Sequence, residues 1–228
     1  MTQKVPLFKK HHIFNCLSRT EKDMLLEGTE QGRLEPRAYF YQNDKSLRHI
    51  YFIISGSYLV GKNLGKAQET ILQLSMDSNF LGVHSLIFGQ GNCQFAKALS
   101  SVRYLKFNKT VFKYILHQNS KFHDLIRKQL GKEFAELETK YLRLHTNTKL
   151  HDRLKLFLEE LHRKNHKRAI ERNRIDLHIT HLEIAKYLQG SRQSVSLNLA
   201  KMRHEGIIDY DRNWMKVLDL KKLRSWDI

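Results

Sequence analysis

Between Thr180 and Met202 the apolar residues keep helical spacing, stop, and start again. Leu182, Ile184 and Ala185 form one face, the pattern falls silent at Gly190, and Val195, Leu199 and Met202 resume it. Two short helices bent around a glycine produce this spacing, which is that of a helix-turn-helix. An ordinary helical hairpin in an α-helical domain would show it too, so the side chains decide between the two. The first turn of the second helix carries Ser191, Arg192, Gln193, Ser194 and Ser196. In a DNA-reading motif that turn faces the base edges. An arginine can grip guanine O6 and N7 with two hydrogen bonds, and a glutamine can do the same for adenine N6 and N7.

The rest of the chain has two other textures. Residues 7–30 show helical spacing through Phe14, Leu17, Met24 and Leu25. From Arg33 to Phe107 short β-rich runs follow one another: 38–41, 49–54, 57–60, 69–74, 95–99 and 102–107. Turn material at 42–44, 55–56, 63–65, 77–79 and 89–92 separates them. Strands at such spacing predict a β-sandwich or barrel. Residues 109–161 return to helical period. Leu130, Phe134, Leu137, Tyr141 and Leu144 step by four, three, four and three, an a/d seam that Lys132, Glu133, Glu136, Glu138, Lys140 and Arg143 flank. Such a helix either pairs with a second copy or packs on the β-domain. Low helix propensity around residues 145–148 predicts a hinge. Residues 150–161 are again amphipathic, and 207–210 with 214–218 read as a hairpin turning at 211–213, the wing of a winged helix.

Forty Lys and Arg against 23 Asp and Glu give a formal net charge of +17. Phosphate contacts by Lys and Arg release counterions, so this balance suits a nucleic acid. The charge is spread, with 18 basic and 11 acidic residues in 149–228, so it does not locate the partner. Cys16 and Cys93 are too few for a disulfide framework or a four-thiolate cluster. The polar N-terminus and the interrupted apolar run at 50–60 predict neither signal peptide nor membrane span, hence a cytoplasmic protein without membrane contact. His162 and His166 stand at metal-ligand spacing without a third ligand nearby, so no metal is expected. No paired carboxylates, nucleophile elbow or phosphate-cradling loop suggests an enzyme.

Three stretches occur in a telling order. They are the strand and glycine of 51–57, the strand and turn of 71–88, and the helix-turn-helix of 180–208 with its exit Gly206-Ile-Ile-Asp. Together they resemble the Crp/Fnr family of bacterial transcription regulators over nearly the whole chain. The resemblance implies an α+β fold: a cyclic-nucleotide-binding-like β-roll (1–120), a long dimerisation helix and hinge (121–147), and a winged helix-turn-helix (148–228). It implies a homodimer on double-stranded DNA, with RNA polymerase as a further partner. Thr180 and Ser191 fall at phosphate-contacting positions and Arg192 at a base-reading one. Gln193 replaces a common glutamate, Leu197 replaces a second arginine of the cAMP-responsive members, and Ser194 and Ser196 complete the polar turn.

The implied effector pocket departs further. Gly82 is followed by Val83 where cAMP-binding members carry a glutamate, and Asn92 and Cys93 replace an Arg-Ser pair that clamps the cyclic phosphate. Glu138 and Thr139 fall at the adenine-contacting positions, and only Thr139 keeps a hydroxyl. Lys97 lies near, but strand alternation turns it outward. A buried phosphate without a cation is costly, which argues against cAMP and leaves the effector unassigned or absent. The iron–sulfur branch is excluded by its missing cysteines. His84 or Cys93 could ligate haem on paper, but each is read as an ordinary pocket-lining or core residue. The resulting expectation is a homodimeric, sequence-specific DNA-binding regulator not driven by cAMP. The alternative is a cyclic-nucleotide or other small-ligand-binding signalling module with weak or vestigial DNA binding.

Overall fold

The computed structural model describes residues 11–42, 47–65, 69–87, 94–146, 149–166 and 174–227. A 3-10 turn at His12–Phe14 and helix α1 (Arg19–Glu27) open the chain, and Ser18 with Glu21 closes a capping box at the start of α1. The strands that follow are β1 (Glu30–Leu34), β2 (Tyr39–Gln42), β3 (His49–Ser55), β4 (Tyr58–Asn63), β5 (Glu69–Ser75), β6 (Phe80–Leu81), β7 (Gln94–Ala98) and β8 (Val102–Asn108). They form two antiparallel sheets, in the orders β1-β8-β3-β6 and β2-β7-β4-β5. Six match the β-rich runs read from the sequence. The runs did not mark β1 (Glu-Gln-Gly-Arg-Leu) or β6, because neither carries a β-branched alternation. Helix α2 (His84–Ile87) follows β6.

Gly56, at the end of the strand signature, turns the chain from β3 to β4 with φ +108°. A Cβ there would stand 2.6 Å from the Ser101 carbonyl and 2.8 Å from Val102 Cα, both backbone atoms that cannot swing aside.

Helix α3 (Lys109–Gln118) and the long helix α4 (Ser120–Thr146) meet at Asn119. Its Oδ1 accepts from the Phe122 N–H at 2.9 Å, and its Nδ2 donates to the Cys16 carbonyl at 3.1 Å, so one side chain both starts α4 and holds the N-terminal turn. Farther along, the Gln129 amide accepts from the Phe80 N–H (3.0 Å) and donates to the Phe80 carbonyl (2.9 Å). This two-way bond extends β6 with a side chain and fixes which face of α4 lies on the roll.

The C-terminal head comprises α5 (Leu150–His166), β9 (Arg174–Asp176), α6 (His181–Leu188), α7 (Arg192–His204), β10 (Ile208–Asp211), β11 (Trp214–Val217) and α8 (Leu220–Ser225). The wing has a third strand, in the order β10-β11-β9. Strand β9 and helix α8 escape a reading by periodicity because three and six residues are too short to show one.

The head lies against the roll. One apolar cluster takes in Leu59, Ile71, Phe95 and Leu99 from the second sheet together with Ile184, Leu188 and Val195 from the helix-turn-helix. Polar contacts frame it. Lys97 pairs with Glu183 at 2.6 Å, Lys186 pairs with Glu69 at 2.6 Å, and the His178 N–H donates to the Leu99 carbonyl at 2.6 Å. Lys97 does point out of the roll, as alternation implies, and it finds the head there.

Gly56→Ala combines a left-handed backbone with a backbone clash, so it should destabilise the roll by about 2 kcal/mol or more. Chemical denaturation that shows less than about 0.5 kcal/mol would mean the β3–β4 turn rebuilds freely.

Candidate nucleic-acid interface

Thr180 starts α6 with a capping box. Its Oγ1 accepts from the Glu183 N–H at 3.1 Å, while its own N–H and hydroxyl donate to the Glu183 carboxylate at 2.8 and 3.0 Å. Ile184, Ala185, Tyr187 and Leu188 then bury their side chains. The left-handed residue that ends α6 is Gln189 (φ 52°), not the glycine. Gly190 serves close approach instead, since a Cβ there would meet Leu150 Cδ1 at 2.6 Å. Gln189 thus sets the turn's conformation, and Gly190 leaves room for the Leu150 side chain.

Ser191 caps α7 by accepting from the Ser194 N–H at 3.0 Å, and its hydroxyl donates to Ser194 Oγ at 2.8 Å. Val195, Leu199 and Met202 turn inward. Arg192, Gln193 and Leu197 consequently face out, Leu197 at 65% exposure. Neither Arg192 nor Gln193 makes a side-chain hydrogen bond or ion pair among the described residues. Ser196 is held differently: its Oγ lies 2.7 Å from His181 Nδ1. Burial, then the nearby Arg192 guanidinium, holds the His181 pKa below the ordinary histidine value. At neutral pH it is therefore an uncharged hydrogen-bonding partner for Ser196. Sequence reasoning missed His181, because its role depends on two helices crossing. At the wing tip Arg212 is exposed, whereas Arg203 pairs with Asp209 at 3.2 Å.

The seam residues of α4 divide. Phe134 and Tyr141 are 69% and 61% exposed, joined by Leu142 at 55%. Leu130 packs against the roll cluster, and Leu137 and Leu144 line a cavity facing the head. Two of the charges read as flanking the seam also point inward. Glu133 is 8% exposed, and the Lys140 ammonium donates to the Ile71 carbonyl at 2.6 Å and the Leu72 carbonyl at 3.3 Å. The a/d pattern could not show this, because it registers apolar residues and treats every charge as solvated.

Of the expected effector residues, Gly82 (φ +88°) and buried Val83 enter the roll core, Glu138 is exposed, and Thr139 lines the head-facing cavity. Asn92 and Cys93 lie outside the described residues, as does the side chain of His166. No group of three metal-ligating side chains occurs among the described residues. The roll interior is aromatic: Phe40, Tyr51 and Tyr104 pack edge to face at 5.4–5.6 Å. Glu133 comes in from α4, accepts from Gln129 Nε2 at 2.8 Å and lies 3.6 Å from His84 Nε2. Burial pushes its carboxyl up to about 7, and burial lowers His84.

Residues 152–226 match the family described as the Crp-like helix-turn-helix domain. An anaerobic regulatory protein of Bacillus subtilis (strain 168) is 23% identical over 199 residues, 85% of this chain and 82% of its own. A Crp/Fnr-family transcriptional regulator from Eubacterium rectale ATCC 33656 superposes with a TM-score of 0.75 at 15% identity, covering 95% of this chain and 98% of that one. FixK2 of Bradyrhizobium japonicum gives 0.72 at 16% identity, covering 88% and 98%. At these identities the structures establish a shared fold.

Glu133 titrates higher in the folded chain than in the unfolded one, so the folded state holds the extra proton between about pH 4.5 and 7. Stability from this group should fall as pH rises through that window. Glu133→Gln should flatten the fall and exceed the wild type above pH 7 by about 1–3 kcal/mol. Parallel stability–pH curves for the two proteins would refute the assignment.

Proposed function

We propose that this chain, a DNA-binding transcription regulator of the Crp/Fnr type, works as a homodimer that reads a specific duplex sequence through Arg192 and Gln193. The observation that carries this reading is the first turn of α7. There, two side chains suited to guanine and adenine stand exposed, without partners among the described residues. A helix-turn-helix that no longer read DNA would have no reason to keep such groups free, which disfavours a purely ligand-binding module. The family is non-enzymatic, so the output is binding itself.

Thr180, Ser191, Ser194 and Ser196 take a supporting part. Their hydroxyls are engaged in caps or with His181, so they order the reading turn. The backbone N–H groups at the start of α7 remain suited to a phosphate. Leu197 offers a thymine methyl an apolar contact. Together these features favour an operator unlike that of a reader with glutamate and a second arginine.

Dimerisation is best supported along Phe134, Tyr141 and Leu142, which form an exposed apolar stripe on α4. Open space beside Gly131 would let a second helix approach closely. This narrows the five-residue seam to the members that still face outward. The roll, α4 and the head would then act as sensor-like domain, dimer helix and reader. An aromatic interior with a carboxyl inside suits no cyclic phosphate, so cAMP is disfavoured as the effector. No helix among the described residues is long and apolar enough to cross a membrane.

Selecting bound duplexes from a random pool should yield a two-fold symmetric site. Arg192→Ala should then weaken binding to it by about 1–3 kcal/mol while leaving random DNA nearly unaffected. Equal losses on both would remove the base-reading role. The double substitution Phe134→Glu and Tyr141→Glu should convert the dimer to monomer in analytical ultracentrifugation, and an undisturbed dimer would dismiss the stripe.

A further inference from the structure

A cavity of about 260 Å³ lies where β5, α4, α5 and the end of α6 meet. It is separate from the roll interior and from the reading face. Its size is just below the ~300–1,000 Å³ of pockets that hold drug-sized ligands. Six cationic side chains line it against two carboxylates, Glu136 and Glu160. The deficit is visible contact by contact. Glu160 lies 3.3 Å from Arg143 and 3.0 Å from Lys164, while Lys132 pairs with Asp77 at 3.1 Å. Among the described residues the Lys140 ammonium meets two carbonyl acceptors and the Tyr187 ring, 3.8 Å away, and makes no direct ion pair. Burial lowers its pKa to about 7, and the Glu160 carboxylate offsets only part of that. Arg153 buries its Nε with no acceptor among the described residues, and its Nη1 makes a long 3.4 Å bond to the Gln189 carbonyl.

Buried cations left short of anions are costly, and removing the shortage is what a bound anion does. The walls opposite the cations are apolar, from Leu74, Phe157 and Leu188. We propose that this cavity binds a compact organic anion carrying two or more negative charges, and that the bound anion draws Arg153 away from the turn of the helix-turn-helix. Gln189 is the left-handed residue of the turn between α6 and α7, so Arg153 links the cavity to that turn. The second half of the proposal rests on the DNA-reading role of α7 proposed above, and the first half does not.

Isothermal titration of the full chain with citrate and with pyrophosphate, separately, tests the site and distinguishes a polycarboxylate from a phosphate source. Saturable one-site binding with Kd below ~1 mM is expected for at least one probe. Lys140→Met and Arg153→Leu should each weaken it tenfold or more with an unchanged melting profile, and Arg143→Gln at the cavity edge stands in for any variant that fails to fold. No saturable binding up to ~10 mM, or equal affinity in all variants, overturns the site. DNA affinity is then measured with and without the bound probe. Anion binding that leaves it unchanged overturns the relay through Arg153, whereas absence of sequence-specific DNA binding in the untreated protein overturns the reading of α7 instead.

Discussion

The outer face of the second roll sheet is apolar, and the rest of the arrangement follows from covering it. Leu59, Ile71, Phe95 and Leu99 point away from the roll interior and join the core of the head. A sheet with both faces apolar needs a layer on each side. The roll interior supplies one, and the helix-turn-helix supplies the other. The ion pairs Lys97–Glu183 and Lys186–Glu69 join the two units beside that contact, partly shielded from solvent. Because Glu183 also completes the α6 cap, the docking contact and the start of the DNA-binding motif share one carboxylate.

Docking the head in this way creates a junction of three units, and the charges collected there are unbalanced. Lys140 and Glu133 lie on the same long helix, seven residues apart, and both face inward. Glu133 enters an aromatic roll interior and Lys140 enters the head-facing cavity. Each titrates near 7, from opposite directions and for the same reason, burial. The long helix thus carries one ionisable group into each compartment it borders. Any change in how α4 lies on the roll must alter the surroundings of both.

Much of the architecture was legible in the sequence because its signals are local. Alternation marked six of the strands, helical spacing marked the long helix, and the interrupted period at Gly190 marked the helix-turn-helix. The short elements β1, β6, β9 and α8 were not legible, being too brief or too polar to show a period. The turn was read as a single glycine, whereas conformation comes from Gln189 and space from Gly190. On the first turn of α7 the outward placement of Arg192 and Gln193 was legible from the helical period. The tie between Ser196 and His181 was not, because it requires α6 and α7 to cross at a particular angle.

By itself the sequence determined most of the order of elements, the helix-turn-helix and the polar first turn of its second helix, since these depend on neighbours within a few turns. Tertiary structure decided which side chains of the long helix face solvent, which charges are buried, and where the head rests. Those outcomes depend on faces more than fifty residues apart meeting in one place. Whether Lys140 is a solvated flank or a buried cation is settled only when β5 and α6 close over it.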